Sequence, residues 1–498
     1  MRRVPLLSGS RIVLVPAGDD DILLAPPAPP EQIVDPGAAV RDALRFPLSG
    51  PPLAEIAKTR RRVTIVVEPP ELPLPGAQLD PRPEVLAAVI GELGRCGIPD
   101  SRQTILVAGG LGRRAGQKEL ERLLPPPEAR SFRGHVLVHD AEDPALVPIA
   151  DWEGAPVRIH PTIAESDLVV VVGAAETVLH GGPGSLLSAC DAVTVRRAAA
   201  VDSLLEAAGG PEWDLALLVE KALAERLAVV GVSLVLDLPR LTGAFRGYPH
   251  DGESVDRVAR SSLRKAFSLL PSAARRDLLS RQARRVTATA AFAGLPSVAH
   301  AEALLRGVEL RGTRLAEPVD ALVVGVPWTG PHLPRENVNP ITAAAVGLGL
   351  ALRLRRDVFP IRPGGTLILL HSLTRSFGGG TQAPYAAMFH TLRTERGAEA
   401  LAEAERIAAA DERACAAYRA GRACHPLLPF ADWAGCAPAI ARLGSVIVAG
   451  CRDSLAARTL GFVPSRGVGS ALQMAHGLSG GRARLGILLA PPYPPLLG

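Results

Sequence analysis

The chain has 498 residues, of which 47% are hydrophobic, 21% charged and 4% aromatic, so it can form two to four domains with cores of small aliphatic side chains. The net charge of +5 is small, and the arginine clusters at 60–62 and 353–356 lack interleaved aromatic residues, which argues against a nucleic-acid partner. Six cysteines without CxxC spacing indicate free thiols, and with no signal peptide and no apolar run of about 20 residues we expect a cytoplasmic protein without a membrane partner.

The order of the predicted elements indicates two α/β domains. Residues 1–60 are proline-rich with one strand near 11–15, and residues 61–240 then alternate strands and helices. Residues 241–310 are predicted as a helical connector, and 311–498 as a second α/β domain. Because strands that alternate with helices form mainly parallel sheets covered on both faces, we expect two mostly parallel α/β domains with a cleft between them.

The individual elements follow from apolar periodicity. In the first domain, strands are predicted at 63–67, 104–107, 135–139, 157–159, 168–172 and 228–237, and helices at 82–96, 117–124 and 184–189. In the second domain, strands are predicted at 319–326, 364–371, 445–450 and 485–490, and helices at 341–355, 395–420 and 470–477.

Segment 167–191 carries the strongest functional signal, because an apolar strand there ends in glycines and opens into a helix. Unpaired backbone N–H groups at such a strand end bind anions. We therefore predict a site for a small negatively charged ligand. Two residues of the segment are candidate catalytic groups, Glu176 and His180. The candidate ligand-binding residues are Gly181, Gly182, Gly184 and Ser185.

A second glycine turn follows the predicted strand at 104–107. Gly110, Gly112 and Arg113 are candidate anion-binding residues, with Arg114 beside them; solvated arginines are the alternative. The turn also matches a GxGxxA dinucleotide pattern, which is weak here because no partner acid follows in a clean βαβ repeat.

Other polar residues are predicted to be structural. Asp140, next to His139, is expected to cap a turn. Glu68 and Glu71 are expected at the surface, with a functional carboxylate pair as the alternative. A metal cluster is the alternative for a group of cysteines with one histidine, but its spacing fits no zinc module, so we predict buried thiols and no metal site. This group comprises Cys415, Cys424, His425 and Cys436.

Several motifs, taken in order, resemble the nickel-dependent lactate racemase family. They are VTIVVEPPELPLP at 63–75, TILVAGGLGR at 104–113, VHDA at 138–141, GAPV at 154–157, the segment 167–191, ENVN at 336–339, RPGGTLIL at 362–369 and GILLAP at 486–491. The resemblance implies a two-domain fold in which a nickel pincer nucleotide, tethered through lysine in many members, accepts hydride from C2 of a 2-hydroxy acid. It also implies two histidines that transfer protons, a histidine that ligates nickel, and Arg and Lys side chains that hold the carboxylate.

The chain departs from this pattern at most of these positions. The Asp-x-x-Arg pair falls on Pro69 and Leu72, and the first proton-transfer histidine falls on Gly112. The next two histidine positions fall on Ala174 and Val178. In the second domain, Thr342 and Ala345 stand at the positions where the family has its substrate-binding Gln and Lys.

A count of histidines and lysines does not depend on the alignment. No lysine lies between Lys118 and Lys221, so the tether is absent, and no histidine lies between His180 and His250, so the nickel ligand is absent. The identity of any cofactor therefore stays open, and so does the question of whether the protein is catalytically active. Three hypotheses remain: a racemase or epimerase of small 2-hydroxy acids with an altered site, an inactive paralogue that binds a small anion or a protein partner, and a different reaction centred on His180 and Glu176.

Overall fold

Two six-stranded sheets organise the molecule. The computed structural model describes residues 2–28, 30–69, 77–176, 180–199, 210–238, 243–246, 248, 252–281, 284–285, 287–328, 337–352, 359–394, 397–489 and 496–497. The predicted α/β class is confirmed. Within the described residues, no helix combines the length and the apolar character needed to cross a membrane.

The first sheet has five parallel strands and one antiparallel edge strand. In spatial order its strands are Ala288–Gly294, Ala228–Leu236, Leu168–Ala174, Val63–Val67, Gln103–Val107 and His135–Val138. Successive residues of one strand belong to opposite cores: Val170 and Val172 pack on one face, and Val169 and Val171 on the other. The valine-rich runs are therefore buried on both sides, as a parallel sheet between helices requires.

The second sheet is entirely parallel. In spatial order its strands are Val463–Ser465, Ser445–Ala449, Ile361–Leu370, Val319–Gly325, Leu485–Leu488 and Ile22–Leu24. Its residues also alternate between two cores, with Leu322 and Val324 on one face and Ala321 and Val323 on the other.

Helices cover both sheets. Those that precede the strand Ala228–Leu236 are Pro36–Arg45, Leu53–Ala57, Arg82–Arg95, Gln117–Leu120, Pro126–Ser131, Pro161–Ala164, Pro183–Leu187, Ala192–Ala198 and Pro211–Ala224. Four follow before the second sheet: Gly252–Arg260, Ser262–Leu269, Ser272–Arg281 and Pro296–Arg311. The rest are Pro340–Ala344, Ala383–Thr394, Ala398–Ala409, Glu412–Arg419, Leu428–Ala434, Ala437–Arg442, Ser454–Thr459 and Val468–Leu478.

Short strand pairs lie outside the two large sheets. Arg2–Ser8 and Arg11–Ala17 form an antiparallel hairpin, as do Val147–Trp152 and Ala155–Ile159. The predicted strand at 157–159 therefore belongs to a hairpin. Two further parallel pairs join Ala77–Leu79 to Arg284–Arg285 and Thr313–Arg314 to Leu496–Leu497.

The predicted domain boundaries stay a prediction, but the structure within them differs from expectation. The described part of residues 1–60 contains three strands, and Ile22–Leu24 forms an edge of the second sheet. The predicted connector at 241–310 contributes the strand Ala288–Gly294 to the first sheet. Its sequence, ATAAFAG, is rich in alanine and lacks the alternation of β-branched residues that marks a strand.

Two predicted helices of the second domain are divided. The one expected at 395–420 forms Ala398–Ala409 and Glu412–Arg419, and Asp411 caps the second of these. The one expected at 341–355 begins as Pro340–Ala344 and continues as a π-helix, Ala345–Leu350, while 353–358 lie outside the described residues.

Candidate functional site

The first sheet changes direction between its two central strands. From Val63–Val67 the chain continues to Gln103–Val107 on one side, whereas from Leu168–Ala174 it continues to Ala228–Leu236 on the other. The carboxyl ends of Val63–Val67 and Leu168–Ala174 therefore border the crevice in which open α/β sheets bind ligands.

Glu68 occupies this crevice. It follows the strand Val63–Val67 directly, and its carboxylate accepts hydrogen bonds from the backbone N–H of Gly181 at 2.7 Å and from the Ser185 hydroxyl at 2.6 Å. Its second oxygen accepts from the Ser188 hydroxyl at 2.7 Å. Glu68, predicted as a surface residue, thus places a carboxylate on the loop for which we predicted an anion; Glu71 lies outside the described residues.

The glycines of this loop are required by local geometry. Gly181 and Gly182 have φ of 94° and 52°, which L side chains rarely adopt. A Cβ on Gly182 would lie 2.3 Å from the Cβ of His300, a fully buried residue of the helix Pro296–Arg311. Gly184 and Ser185 follow Pro183 in the first turn of the short helix Pro183–Leu187.

His300 is a histidine at the loop that sequence reasoning missed. Its Nδ1 lies 3.3 Å from the hydroxyl of Ser233, and its ring stacks on Trp213 with 6.3 Å between ring centroids. Its position 120 residues after the loop leaves no local signal in the sequence, because only the packing of the helix on the sheet brings the two together.

Glu176 is part of a buried ion-pair group. Its carboxylate accepts a hydrogen bond at 3.0 Å from Arg82, which also binds Asp80 through its Nε and Nη2. Burial lowers the pKa of the Arg82 guanidinium, but the charges of Asp80 and Glu176 outweigh burial and raise that pKa above its ordinary value. The Asp-Pro-Arg sequence at a helix start is the signal that could have identified this group.

His180 directly precedes Gly181 and is partly buried. Residues 177–179, which include Val178, lie outside the described residues. The structure thus brings His180, Glu176 and the glycine loop to the same strand end; their catalytic and ligand-binding roles remain predictions.

The second glycine turn lies beside the first. Gly110 has φ of 50° and donates to the carbonyl of Ser188 at 3.1 Å, which joins the two loops. Gly112 donates to Gly109 within the turn. Arg113, the predicted anion anchor, forms an ion pair with Glu119.

Arg114 joins the first domain to the second through hydrogen bonds to backbone carbonyls. It donates to the carbonyls of His139 and Val138 at 3.1 Å each and to the carbonyl of Arg419 in the second domain. Gly110, Gly112, Arg114, His139 and Tyr418 line a narrow crevice there.

His139 is almost fully buried and has one clear partner. Its Nε2 lies 2.8 Å from the carbonyl of Cys190, so this nitrogen carries the proton, and Nδ1 has no hydrogen-bond partner among the described residues. Burial lowers the pKa of His139 to about 4, although the Cys190 carbonyl opposes the shift. Asp140 accepts from the backbone N–H of Glu142 at 3.0 Å and so holds a turn.

Two residues of the predicted cysteine–histidine group meet a residue of the first domain. The ligand atoms of Glu142, Cys415 and His425 lie within 4.8 Å of one another. However, Nδ1 of His425 accepts the N–H of Leu427 at 3.1 Å, so Nε2 carries the proton and donates to Glu142 at 2.9 Å. A metal-bound imidazole donates from its second nitrogen, so this tautomer describes a hydrogen bond between domains and does not suit a metal ligand.

The remaining members of that group, Cys424 and Cys436, are not among the three residues whose ligand atoms meet. The thiol of Cys436 donates to the carbonyl of Asp432 at 3.3 Å, and Cys424 is fully buried. All six cysteines are free. Burial, with the charges of Glu142 and Asp411, raises the pKa of the Cys415 thiol to about 11, which makes it a poor nucleophile at neutral pH.

The second-domain positions that the resemblance singles out are packed inside the fold. Thr342 is almost fully buried in the helix Pro340–Ala344, and Ala345 begins the π-helix. Asn339 accepts from the N–H of Thr342 at 3.0 Å and so caps that helix. Glu336 of the same motif lies outside the described residues.

The fold and the strand-end crevice define an α/β protein with two large parallel-rich sheets, of which the first is doubly wound. Residues 11–184 match the family model described as the lactate racemase N-terminal domain. This match confirms, for these residues, the resemblance seen in the sequence.

Solved structures with a similar fold span almost the whole chain. The lactate racemase apoprotein from Thermoanaerobacterium thermosaccharolyticum has a TM-score of 0.64 and 14% identity, over 99% of this chain and 100% of that one. A protein from Thermotoga maritima has a TM-score of 0.53 and 13% identity, over 94% of this chain and 100% of that one. No curated protein sequence matches the chain.

The residues at the crevice do not fit a lysine-tethered nickel pincer nucleotide. No lysine lies between Lys118 and Lys221, so the glycine loop cannot supply the tether. The loop N–H and the two serine hydroxyls are already directed at the carboxylate of Glu68. A group at this strand end would have to compete with that side chain.

Proposed function

We propose that this protein keeps the lactate racemase fold without nickel-pincer racemisation, and that it binds a small anionic ligand at the glycine loop. The observation that carries the proposal is the Glu68 carboxylate, which takes three hydrogen-bond donors of the loop. It supports the proposal because the loop directs one N–H and two hydroxyl donors at a negatively charged group. The free thiols of all six cysteines suit a reducing compartment such as the cytoplasm.

The metal content of the protein tests the proposal. When the protein is produced together with the enzymes that synthesise the pincer cofactor, we expect no stoichiometric nickel, because the tether and the nickel-ligand histidine are missing. The lactate racemase from Thermoanaerobacterium thermosaccharolyticum, produced in the same cells, is the positive control. Tightly bound nickel at one equivalent would overturn the proposal.

A racemase or epimerase of 2-hydroxy acids with an altered site is the competing hypothesis. It would rely on His180 and Glu176, the candidate catalytic groups at the loop. Assays with single enantiomers of lactate, malate and larger 2-hydroxy acids should show no racemisation. Turnover that is lost in His180→Ala and kept in the exposed control His390→Ala would support the competing hypothesis instead.

A further inference from the structure

Positive charge is concentrated in one segment of the chain. Residues 252–281 form the helices Gly252–Arg260, Ser262–Leu269 and Ser272–Arg281, and they contain seven basic and three acidic residues. The net charge of this segment is therefore +4, against +5 for all 498 residues. A surface on which one sign of charge predominates attracts ligands of the opposite sign, so these helices favour the approach of an anion.

The carboxyl edge of the second sheet holds two further arginines. Gly9, in the turn of the N-terminal hairpin, donates to the carbonyl of Val326 at 2.8 Å, just beyond one central strand of the sheet, and Arg11 follows that turn. The N–H of Arg452 donates to the carbonyl of Ser372 at 2.8 Å, just beyond the adjacent strand. Open α/β sheets bind their ligands at the carboxyl ends of the strands.

Arg275 connects the basic segment to this edge. It is 5% exposed, and its Nε lies 3.4 Å from the hydroxyl of Ser10, the residue before Arg11. Its Nη1 donates to the carbonyls of Ser268 and Leu270. These partners are all uncharged, so none of them balances the positive charge of the buried guanidinium.

The charges closest in effect to this guanidinium are also positive. We define the arginine cluster as Arg11, Arg275, Arg276 and Arg452. Burial, together with the charges of the other three members, lowers the pKa of Arg275. Asp453, next to the cluster in the chain, is already paired, because its carboxylate accepts a hydrogen bond from Arg375 at 2.6 Å. An external anion would supply the counter-charge that these positive groups lack.

The arginine cluster is open to solvent on one side. Arg11 and Arg452 are exposed, whereas Arg275 is buried. The two turns that carry the exposed arginines also leave space beside the backbone, since a Cβ on Gly9 or on Gly450 would meet no atom within 4 Å. An anion can therefore reach the cluster without any movement of the core.

We infer that the arginine cluster binds the phosphoryl group of a small phosphorylated molecule. Such a group carries about −1.5 to −2 charges at neutral pH, and its oxygens match the paired N–H groups of guanidinium. A polymer fits less well, because nucleic-acid surfaces offer aromatic rings for stacking and Phe267, the one aromatic residue of the basic segment, is buried. The site shares no residue with the glycine loop, so it goes beyond the proposed function and either can fail alone.

Inorganic phosphate is the probe that tests the inference. In isothermal titration at constant ionic strength, we expect one phosphate to bind per chain in a saturable manner, at least about tenfold more tightly than acetate. Phosphate should also raise the Tm. The absence of saturable binding, or equal affinities for phosphate and acetate, would overturn the inference.

The exposed members of the cluster identify where phosphate binds. Arg11→Ala combined with Arg452→Ala should weaken phosphate binding at least about tenfold and leave the core intact, because both side chains are exposed. The matched control combines Arg102→Ala with Arg122→Ala, which removes two exposed arginines of the first domain and changes the net charge equally. The control should bind phosphate like the native chain. Equal losses in the two variants would indicate a general effect of charge and refute the site.

Two larger phosphorylated ligands test whether the phosphoryl group belongs to a small molecule. A labelled single-stranded oligonucleotide is followed by fluorescence anisotropy, and phosphatidylserine vesicles by sedimentation, both at about 0.15 M salt, where long-range attraction is screened. We expect no saturable binding of the native chain to either. Saturable binding to one of them that is lost when Arg11→Ala and Arg452→Ala are combined would overturn the assignment to a small molecule.

Discussion

At the scale of single residues, His139 is neutral at pH 7 because its ring is buried away from water, and burial disfavours the charged imidazolium. Its Nε2–H is used by the carbonyl of Cys190, and Nδ1 is buried without a partner among the described residues. The ring of His160 lies 5.7 Å away edge-on, and burial lowers the pKa of His160 as well. Protonation of either ring would place a charge in the interior beside Arg114, a second positive group.

The neutral state of His139 predicts a pH dependence of stability. Its pKa is about 4 in the folded chain against 6.5 for an exposed histidine, so between these values only the unfolded chain takes up the proton. Stability is therefore full above pH 6.5 and falls as the pH drops toward 4, by roughly 1.4 kcal/mol per pH unit for this residue. Urea unfolding at pH 7.5 and pH 5 should show the loss.

His139→Gln is the comparison for that measurement. Glutamine can still donate to the carbonyl of Cys190 but does not titrate, so the decrease in the free energy of unfolding between the two pH values should be smaller by about 2 kcal/mol. Equal pH dependence in the two proteins would contradict a neutral His139.

At the scale of elements, the glycine loop is shaped by the helix Pro296–Arg311. That helix packs on the strands Ala228–Leu236 and Ala288–Gly294, and His300 and Pro296 approach the loop backbone closely. The glycines that suggested a ligand loop in the sequence thus have a second cause, which is the absence of space for any side chain.

Gly182→Ala should be strongly destabilising for this reason. Its φ of 52° and ψ of −130° lie outside the region that alanine adopts, and the new Cβ would meet His300 at 2.3 Å. We expect a loss of about 3 kcal/mol or more in the free energy of unfolding.

Gly91→Ala is the matched control for that substitution. Gly91 lies inside the helix Arg82–Arg95, and a Cβ there would meet no atom within 4 Å. Alanine should therefore stabilise the protein by about 0.5–1 kcal/mol. Similar effects of the two substitutions would refute the steric argument.

At the scale of the whole molecule, polar contacts hold the domains together at the second glycine turn. The buried hydroxyl of Tyr418 donates to the carbonyl of Gly110 at 3.0 Å and accepts the N–H of Ala141 at 3.2 Å. The N–H of His425 donates to the carbonyl of Leu111 at 2.9 Å. The cleft predicted between the domains is therefore bridged at this turn.

Tyr418→Phe should loosen this bridge without disturbing either sheet. Gly110 and Ala141 would lose their partner, and hydrogen exchange should accelerate at Ala141 and in the turn. Tyr385→Phe is the control, because the hydroxyl of Tyr385 binds Asp432 within the second domain. It should leave exchange at the turn unchanged; acceleration by both variants, or by neither, would contradict a specific bridge.

Most strands of both sheets could be predicted from local sequence, because each of them is a short apolar run that ends at turn residues. The run Leu168–Ala174 is apolar throughout and ends at glycines, which identifies a strand buried on both faces. The strand Ala288–Gly294 was not predicted, because its pairing with Ala228–Leu236 is a tertiary contact that its alanine-rich sequence does not signal. The alanine-rich stretch by itself resembles a helix.

The sequence by itself determined the α/β class, the position of the glycine loop and the lack of a tether lysine, since these depend on residue type and local periodicity. Only the tertiary structure decided which side chain the donors of the loop contact. Glu68 and the glycine loop are more than 100 residues apart, and the parallel pairing of Val63–Val67 with Leu168–Ala174 brings them together. The same pairing makes Glu68, which the sequence placed at the surface, the acceptor for the donors of the glycine loop.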